Sequence, residues 1–144
     1  MKHDPFGNLN DWEPVIDLFD ELAEKGKLAE CQPGLVRILR YKGNWRLREE
    51  VLKRIGKFQA PSDELMSQVI TILDDDNIYY DARTLACEAL IQLSRNVQDG
   101  LYDKIITAVR KVVEKLINSP QPLFFDKKLK TLYSQIGLPG TMEN

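Results

Sequence analysis

Two stretches of the sequence share one pattern: WRLREEVLKRI at residues 45–55 and YDARTLACEAL at residues 80–90. Each begins with an aromatic residue, carries an arginine three residues later (Arg48 and Arg83), and continues with small or apolar residues at helical spacing. The offset is 35 residues, a period typical of helical repeats. Because a second apolar helical pattern follows each stretch, the sequence predicts two copies of one helix-pair unit.

The rest of the chain keeps the helical spacing of apolar residues, and no alternating β-branched run or Asn-Gly turn suggests a strand. We therefore predict an all-α fold, with residues 1–144 as a single domain. The helix pairs are expected at about 11–41, 44–73 and 79–118, with a capping helix at about 122–136. Asn44 and Ser62 are residue types that cap helix starts. The first ten and the last six residues lack the pattern and are expected to fray.

The two stretches resemble the first-helix pattern of the HEAT-repeat family, which forms armadillo-like helical solenoids. The resemblance covers about Leu35 to Leu116. It implies a short right-handed solenoid of antiparallel helix pairs, an α-α superhelix in which each pair buries its apolar face against the next. In such a fold Arg48 and Arg83 would reach carboxylates or carbonyls in the turns between repeats. The first predicted pair lacks the arginine and the last helix lacks a partner, so both ends depart from the pattern.

Residues for catalysis, metals and cofactors are hard to find in this sequence. The only histidine, His3, lies at the N-terminus, and there is no glycine-rich phosphate loop or nucleophile elbow. Cys31 and Cys87 are too few for a disulfide framework and wrongly spaced for a metal clip. The Asp74-Asp75-Asp76 run lacks the spacing of a helix-loop-helix calcium site, which favours a solvated turn. We expect no enzyme, no cofactor and no metal.

Charge alternates in blocks along a chain whose net charge is −2. Residues 4–30 hold eight acidic and two basic residues, whereas residues 37–57 hold eight basic and two acidic ones. Residues 63–88 are again acidic, seven to one, and residues 104–130 are basic, seven to two. Two interpretations stay open. Neighbouring blocks pair with each other across the fold, or they gather on one surface that steers a partner of opposite charge.

Several aromatic residues begin or flank the predicted helices and do not continue the apolar stripes: Trp12, Trp45, Tyr79, Tyr80, Tyr102 and Phe124. Such residues either anchor an interface or pack a helix start against the core. Tyr79 and Tyr80 are the strongest candidates for a contact, because only one of two adjacent helical residues can point inward. The expected partner-binding residues are Trp45, Tyr79, Tyr80, Asp74, Asp75 and Asp76.

These observations favour a non-catalytic protein-binding module, an adaptor or an inhibitor, at work in the cytoplasm without contact to a membrane. A small acidic protein of this kind could neutralise a basic partner, as bacterial immunity proteins do with toxins. The alternative is a helical-repeat protein that binds nucleic acid, because the basic segment 37–57 could track phosphates. The residues of that alternative are Arg37, Arg40, Lys42, Arg46, Lys53, Arg54 and Lys57.

Overall fold

The computed structural model describes residues 3–137, and within that range it contains seven α-helices and no strand. The prediction of an all-α fold is confirmed. The helices are α1 (Trp12–Glu24), α2 (Gln32–Arg40), α3 (Trp45–Arg54), α4 (Asp63–Asp74), α5 (Tyr80–Leu93), α6 (Asp99–Ile117) and α7 (Leu123–Gly137). Short 3₁₀ turns precede α2 and extend the C-terminal ends of α3 and α5.

Two helices begin at the capping residues that the sequence indicated. The side chain of Asn44 accepts a hydrogen bond from the backbone N–H of Arg46 at the start of α3. The hydroxyl of Ser62 accepts one from the backbone N–H of Leu65 at the start of α4. Each cap satisfies one of the N–H groups that a helix start leaves without a partner.

The helices pack in two rows. Helices α1, α3, α5 and α7 contact one another in that order, and so do α2, α4 and α6. Neighbours within a row run parallel: Asp63 of α4 pairs with Lys104 of α6, and Asp74 pairs with Lys115, so both contacts span 41 residues. Each even-numbered helix also packs against the odd-numbered helix that follows it.

The core lies between the rows and draws fully buried residues from every helix. Representatives are Phe19, Leu35, Leu47, Leu65, Leu90, Val109 and Phe125. Phe125, Leu129, Leu132 and Ile136 cover one inner face of α7, so the last helix is part of the same core. Burial of this apolar surface is the main favourable term in folding.

The N-terminal segment is ordered against α2, and the prediction that the first ten residues fray is wrong for residues 3–10. Phe6 and Leu9 are buried, and the Phe6 ring contacts the Phe19 ring with centroids 5.3 Å apart. The backbone N–H of Gly34 donates to the carbonyl oxygen of His3. A Cβ atom at Gly34 would lie 2.7 Å from the Phe6 ring, so this close approach requires glycine. The predicted fraying of residues 139–144 falls outside the described residues.

Candidate functional site

The exposed large apolar side chains of residues 3–137 all lie at one edge of the fold. They are Trp45 (52% exposed), Tyr79 (39%), Leu123 (69%) and Phe124 (51%). Trp45 begins α3, Tyr79 directly precedes α5, and Leu123 and Phe124 begin α7; these helices are neighbours in one row. Because the helices of a row run parallel, their N-terminal ends meet along the same edge.

Ring contacts link neighbouring helix starts along this edge, and Tyr79 with Tyr80 and Leu123 with Phe124 are adjacent in sequence. Trp45 and Tyr79 meet edge to face with centroids 6.1 Å apart, and Tyr80 meets Phe124 in the same way at 6.1 Å. The guanidinium of Arg46 lies 5.0 Å from the Trp12 ring and 5.7 Å from the Trp45 ring, which extends these contacts to α1. We call this set of residues the aromatic edge; its members are Trp12, Trp45, Tyr79, Tyr80, Leu123 and Phe124.

The adjacent residues Tyr79 and Tyr80 play different parts. The Tyr80 ring is half-buried against Phe125, with centroids 5.1 Å apart, whereas Tyr79 is exposed. The prediction that only one of the two points inward is confirmed. The Tyr79 hydroxyl donates to Glu49 Oε2 at 2.6 Å, and burial together with this carboxylate raises the pKa of Tyr79 above its usual value. Tyr79 therefore presents a neutral ring whose orientation is held by a hydrogen bond.

Two arginines lie in the first turns of α3 and α5, behind the aromatic edge. Arg83 is 2% exposed and packs against the rings of Tyr80 and Phe125, with its guanidinium carbon 5.2 and 4.9 Å from their centroids. Arg48 is half-buried, and its charge acts on the neighbouring Tyr79 hydroxyl. The Nε atom of Arg48 has no hydrogen-bond partner among residues 3–137, so its predicted bond to a turn is not made by that atom.

The three aspartates before α5 do not converge on a common point. Asp74 forms an ion pair with Lys115, and Asp75 Oδ1 accepts a hydrogen bond from the backbone N–H of Asn77. Asp76 is exposed, as is Asp81 in the first turn of α5, and neither forms an ion pair within the described residues. Asp76 and Asp81 are the exposed acidic residues nearest Tyr79 in sequence, and the positive charge of Arg48 also acts on the Tyr79 hydroxyl.

The structure divides the seven basic residues of the nucleic-acid alternative among several places. Arg37 pairs with Asp4, and Arg40 donates to Gln68. Lys42 is exposed in the turn before α3, and Arg46 lies between the two tryptophan rings. Lys53, Arg54 and Lys57 line a cleft of about 770 Å³ at the other end of α3. Arg46 and Arg54 are eight residues apart, roughly 12 Å along the helix. Nucleic-acid binding stays a prediction.

Most of the charge blocks pair with one another across the fold. Five ion pairs join different elements, and each links an acidic block to a basic one: Arg37–Asp4, Arg54–Asp20, Lys104–Asp63, Lys115–Asp74 and Lys128–Glu88. This favours the first of the two interpretations of the charge pattern. Asp76 and Asp81, which flank Tyr79 in sequence, take part in none of these five pairs.

Residues with reactive side chains are isolated in the part of the chain that the structure describes. Cys31 and Cys87 are buried free thiols, and burial raises the pKa of both, that of Cys87 to about 12. Ring atom Nδ1 of His3 lies 3.0 Å from the carbonyl oxygen of Glu30. Among residues 3–137, no group of three or more His, Cys, Asp or Glu side chains could hold a metal ion. No helix in this range is both long and apolar enough to cross a membrane.

The sequence pointed to part of the aromatic edge and missed the rest. Trp45, Tyr79 and Tyr80 were expected to bind a partner, and the structure places them together. Phe124 was noted as an aromatic residue at a helix start but was not among the expected partner-binding residues, and Leu123 was not considered. The signal was present, because Phe124 and Phe125 are adjacent aromatic residues at a helix start, as Tyr79 and Tyr80 are.

No family model, curated protein or solved structure matches the chain. Its function is therefore inferred from its own side chains.

Proposed function

We propose that this protein is a non-catalytic protein-binding module that docks its partner on the aromatic edge. One observation carries the proposal: Trp45, Tyr79, Leu123 and Phe124 are exposed together at one edge. Covering exposed apolar surface is favourable, and Trp and Tyr are frequent anchors of protein interfaces. Contiguous apolar exposure of this kind is typical of an interaction site, whereas scattered single residues are not.

The construction of the edge favours binding as well. Trp45 and Phe124 lie in the first turns of α3 and α7, close in sequence to the fully buried Leu47 and Phe125. Edge-to-face contacts and the Tyr79–Glu49 hydrogen bond further limit the motion of the rings. A surface ordered before docking loses less conformational entropy when a partner binds.

The proposal extends to the fold. A short right-handed solenoid of antiparallel helix pairs, similar to HEAT repeats, would bring every second helix into one row. The order of helix contacts supports it, as does the shared 41-residue span of the Asp63–Lys104 and Asp74–Lys115 pairs. In such a stack one row of helix starts forms a continuous docking edge. A crystal structure that gave a closed bundle or a left-handed superhelix would contradict this part.

Site-specific photo-crosslinking tests the binding surface. We would place p-benzoylphenylalanine at position 124 in one variant and at position 71 in another, since Thr71 is exposed on α4, in the other row. A partner bound at the aromatic edge forms an adduct with the first variant and not with the second. The cross-linked protein is then identified and purified for direct binding measurements.

Direct binding with the purified partner supplies the deciding comparison. Phe124→Ser and Tyr79→Ser are expected to weaken binding about tenfold or more each, because exposed anchors of an interface typically cost over 1 kcal/mol when truncated. Thr71→Ala serves as the matched surface control and should leave the affinity unchanged. Equal affinities for all variants, or adducts at position 71 alone, would show that the partner docks elsewhere.

A further inference from the structure

We infer that the aromatic edge pairs two copies of this chain around a two-fold axis that passes between the starts of α3 and α5. This inference rests on the proposed function and names the partner that docks on the edge. It draws on the signs of the exposed charges along the edge, which alternate from one helix start to the next.

The exposed charges at the four helix starts change sign in the order of the row. Glu13, Arg46 and Asp81 are the second residues of α1, α3 and α5, and all three are exposed. Lys127 is exposed one turn after the first residue of α7. None of these four side chains forms an ion pair within residues 3–137. The edge therefore presents negative, positive, negative and positive charge in turn.

The residues just before the first three of these helices carry the same signs. Asp11 precedes α1, Lys42 precedes α3 and Asp76 precedes α5. Each is exposed, and none forms an ion pair in the part of the chain that the structure describes. The half-buried Arg48 and Glu49 of α3 carry opposite charges and leave this balance unchanged. Each of these helix starts thus presents two exposed charges of one sign.

An alternating row of four charges is complementary to its own reversal. A two-fold axis between α3 and α5 places α1 of one copy opposite α7 of the other, and α3 opposite α5. Every negative helix start then faces a positive one. Each contact of a two-fold dimer occurs twice, so Arg46 of each copy approaches Asp81 of the other.

The exposed apolar side chains fit the same arrangement. Trp45 and Tyr79, whose rings contact each other, lie beside the axis, so the two copies cover these rings with one another. Leu123 and Phe124 lie at the end of the row and meet α1 of the second copy, where Trp12 is half-buried. Association therefore removes exposed apolar surface from water, which is favourable.

The edge is long enough for a stable dimer. Packed helices lie about 8–10 Å apart, so four neighbouring helix starts span roughly 30 Å. A standard interface buries about 800 Å² on each partner, which corresponds to a patch of about this length. A different protein would need the same charges in reverse order, whereas a second copy supplies that order by symmetry alone.

Sedimentation velocity tests the association. We expect the mass to rise from the 16.6 kDa of one chain to twice that value as the protein concentration increases towards millimolar. Added salt should weaken the association, because exposed charges are screened. A protein that stays monomeric at millimolar concentration overturns the inference. So does one that grows beyond a dimer, because a two-fold interface is closed.

Charge reversal locates the interface. Arg46→Glu and Asp81→Arg should each raise the dissociation constant of the dimer about tenfold or more, because each brings like charges together at both symmetric contacts. Lys111→Glu is the matched control, since Lys111 is exposed in the middle of α6, in the other row, without an ion pair among the described residues. It should leave the dissociation constant unchanged. A dimer that tolerates both edge substitutions is formed by another surface, which overturns the inference.

An equal mixture of the two edge variants supplies the deciding result. In a heterodimer of the Arg46→Glu and Asp81→Arg variants, both contacts between positions 46 and 81 join opposite charges. The mixture should therefore dimerise at concentrations at which each variant alone is monomeric. A folding defect in either variant could not produce this rescue. Failure of the mixture to dimerise, while circular dichroism shows both variants to be helical, overturns the inference.

Photo-crosslinking separates this inference from the proposed function. With p-benzoylphenylalanine at position 124, we expect an adduct of two copies, attached within residues 12–17 of the second copy. An adduct with a different protein, formed by a chain that stays monomeric, overturns the inference and leaves the proposed function standing. If Phe124→Ser and Tyr79→Ser leave every association of the protein intact, the proposed function fails as well.

Discussion

The buried guanidinium of Arg83 donates from Nε to the carbonyl oxygen of Leu73, 3.0 Å away. Leu73 lies in the last turn of α4, where carbonyl groups have no partner within the helix. Arg83 thus ties the end of one helix to the start of the next across the turn at residues 75–79. Arg83 was predicted to reach carboxylates or carbonyls in a turn between repeats; the acceptor found is a carbonyl of the last turn of α4, just before the turn that leads to α5.

Replacement of Arg83 should destabilise the fold. Arg83→Met keeps the length and apolar volume of the side chain but loses the bond to Leu73 and the packing of a cation against Tyr80 and Phe125. The loss is partly offset because one guanidinium nitrogen of Arg83 is buried without a hydrogen-bond partner. We expect a net loss of about 2 kcal/mol in the free energy of unfolding, measured with urea.

Arg48→Met is the natural control for that experiment, because Arg48 occupies the matching position of α3. It is only half-buried, and none of the hydrogen bonds among residues 3–137 involves its side chain. Its replacement should change stability by less than about 1 kcal/mol. Equal costs for both substitutions would show that the Leu73 contact contributes nothing specific.

Substitution of the adjacent residues Phe124 and Phe125 should distinguish a side chain available for binding from one needed for stability. Phe125 is fully buried, and its replacement by alanine should cost about 3–5 kcal/mol. Phe124 is 51% exposed, so Phe124→Ala should cost less than about 1 kcal/mol. Thermal unfolding of both variants measures the difference. A large cost for Phe124→Ala would mean that this ring serves the fold and is not available to a partner.

Acid should weaken the attachment of the N-terminal segment. Asp4 accepts two hydrogen bonds from Arg37, which lower the pKa of its carboxyl group. A lowered folded-state pKa adds stability above the unfolded value, near 4, and that stability disappears as the pH falls through the folded value. Asp4→Asn should therefore cost about 1 kcal/mol at pH 7. The difference from the parent protein should shrink as the pH falls below about 4, through the lowered pKa of Asp4.

Urea unfolding of the parent and Asp4→Asn proteins across this pH range measures the effect. Asparagine can still accept the hydrogen bond that the backbone N–H of Phe6 donates to Asp4, so the substitution tests the charge. Asp17→Asn, on the exposed face of α1, controls for the general loss of one negative charge. A stability difference that stayed constant down to pH 2 would contradict the role of the Asp4–Arg37 pair.

Neither cysteine should react in the native protein. The Cys87 thiol donates to the carbonyl oxygen of Lys128, and a pKa of about 12 leaves roughly one thiolate in ten thousand at pH 8. Cys31 is also buried, and its pKa is raised by burial and by Glu30. Labelling with a disulfide reagent should be slow in buffer and fast in denaturing urea. Rapid labelling of one thiol per molecule in buffer would show that a helix opens easily.

The parts of the fold that follow from local pattern could be predicted. Apolar spacing marks all seven helices, and residue type marks the caps at Asn44 and Ser62. The N-terminal segment could not be predicted, because Phe6 and Leu9 lie outside any helix and are buried only through contacts with distant residues. One of those contacts depends on the absence of a side chain at Gly34, which no periodicity reveals.

The candidate site was partly predictable for a similar reason. Trp45 and Tyr80 occupy the same position of the 35-residue pattern, so the repeat predicts that they lie close to each other, at the same edge of the fold. Helix α7 lies about 40 residues after α5 and carries no arginine in its first turn. Its register depends on packing against α5 and α6, and this packing decides that Phe125 turns inward and Phe124 outward.

The alternation of charge along the chain favours the native order of helices within a row over other orders. Helices that are neighbours in a row come from blocks of opposite sign: α1 and α5 from acidic blocks, α3 and α7 from basic ones. A folding chain that skipped one helix of the row would bring like charges together, α1 against α5 or α3 against α7. Repulsion in the wrong arrangement discriminates between alternatives even where each native ion pair adds little stability. High salt should therefore increase misassembly during refolding more than it lowers the stability of the folded protein.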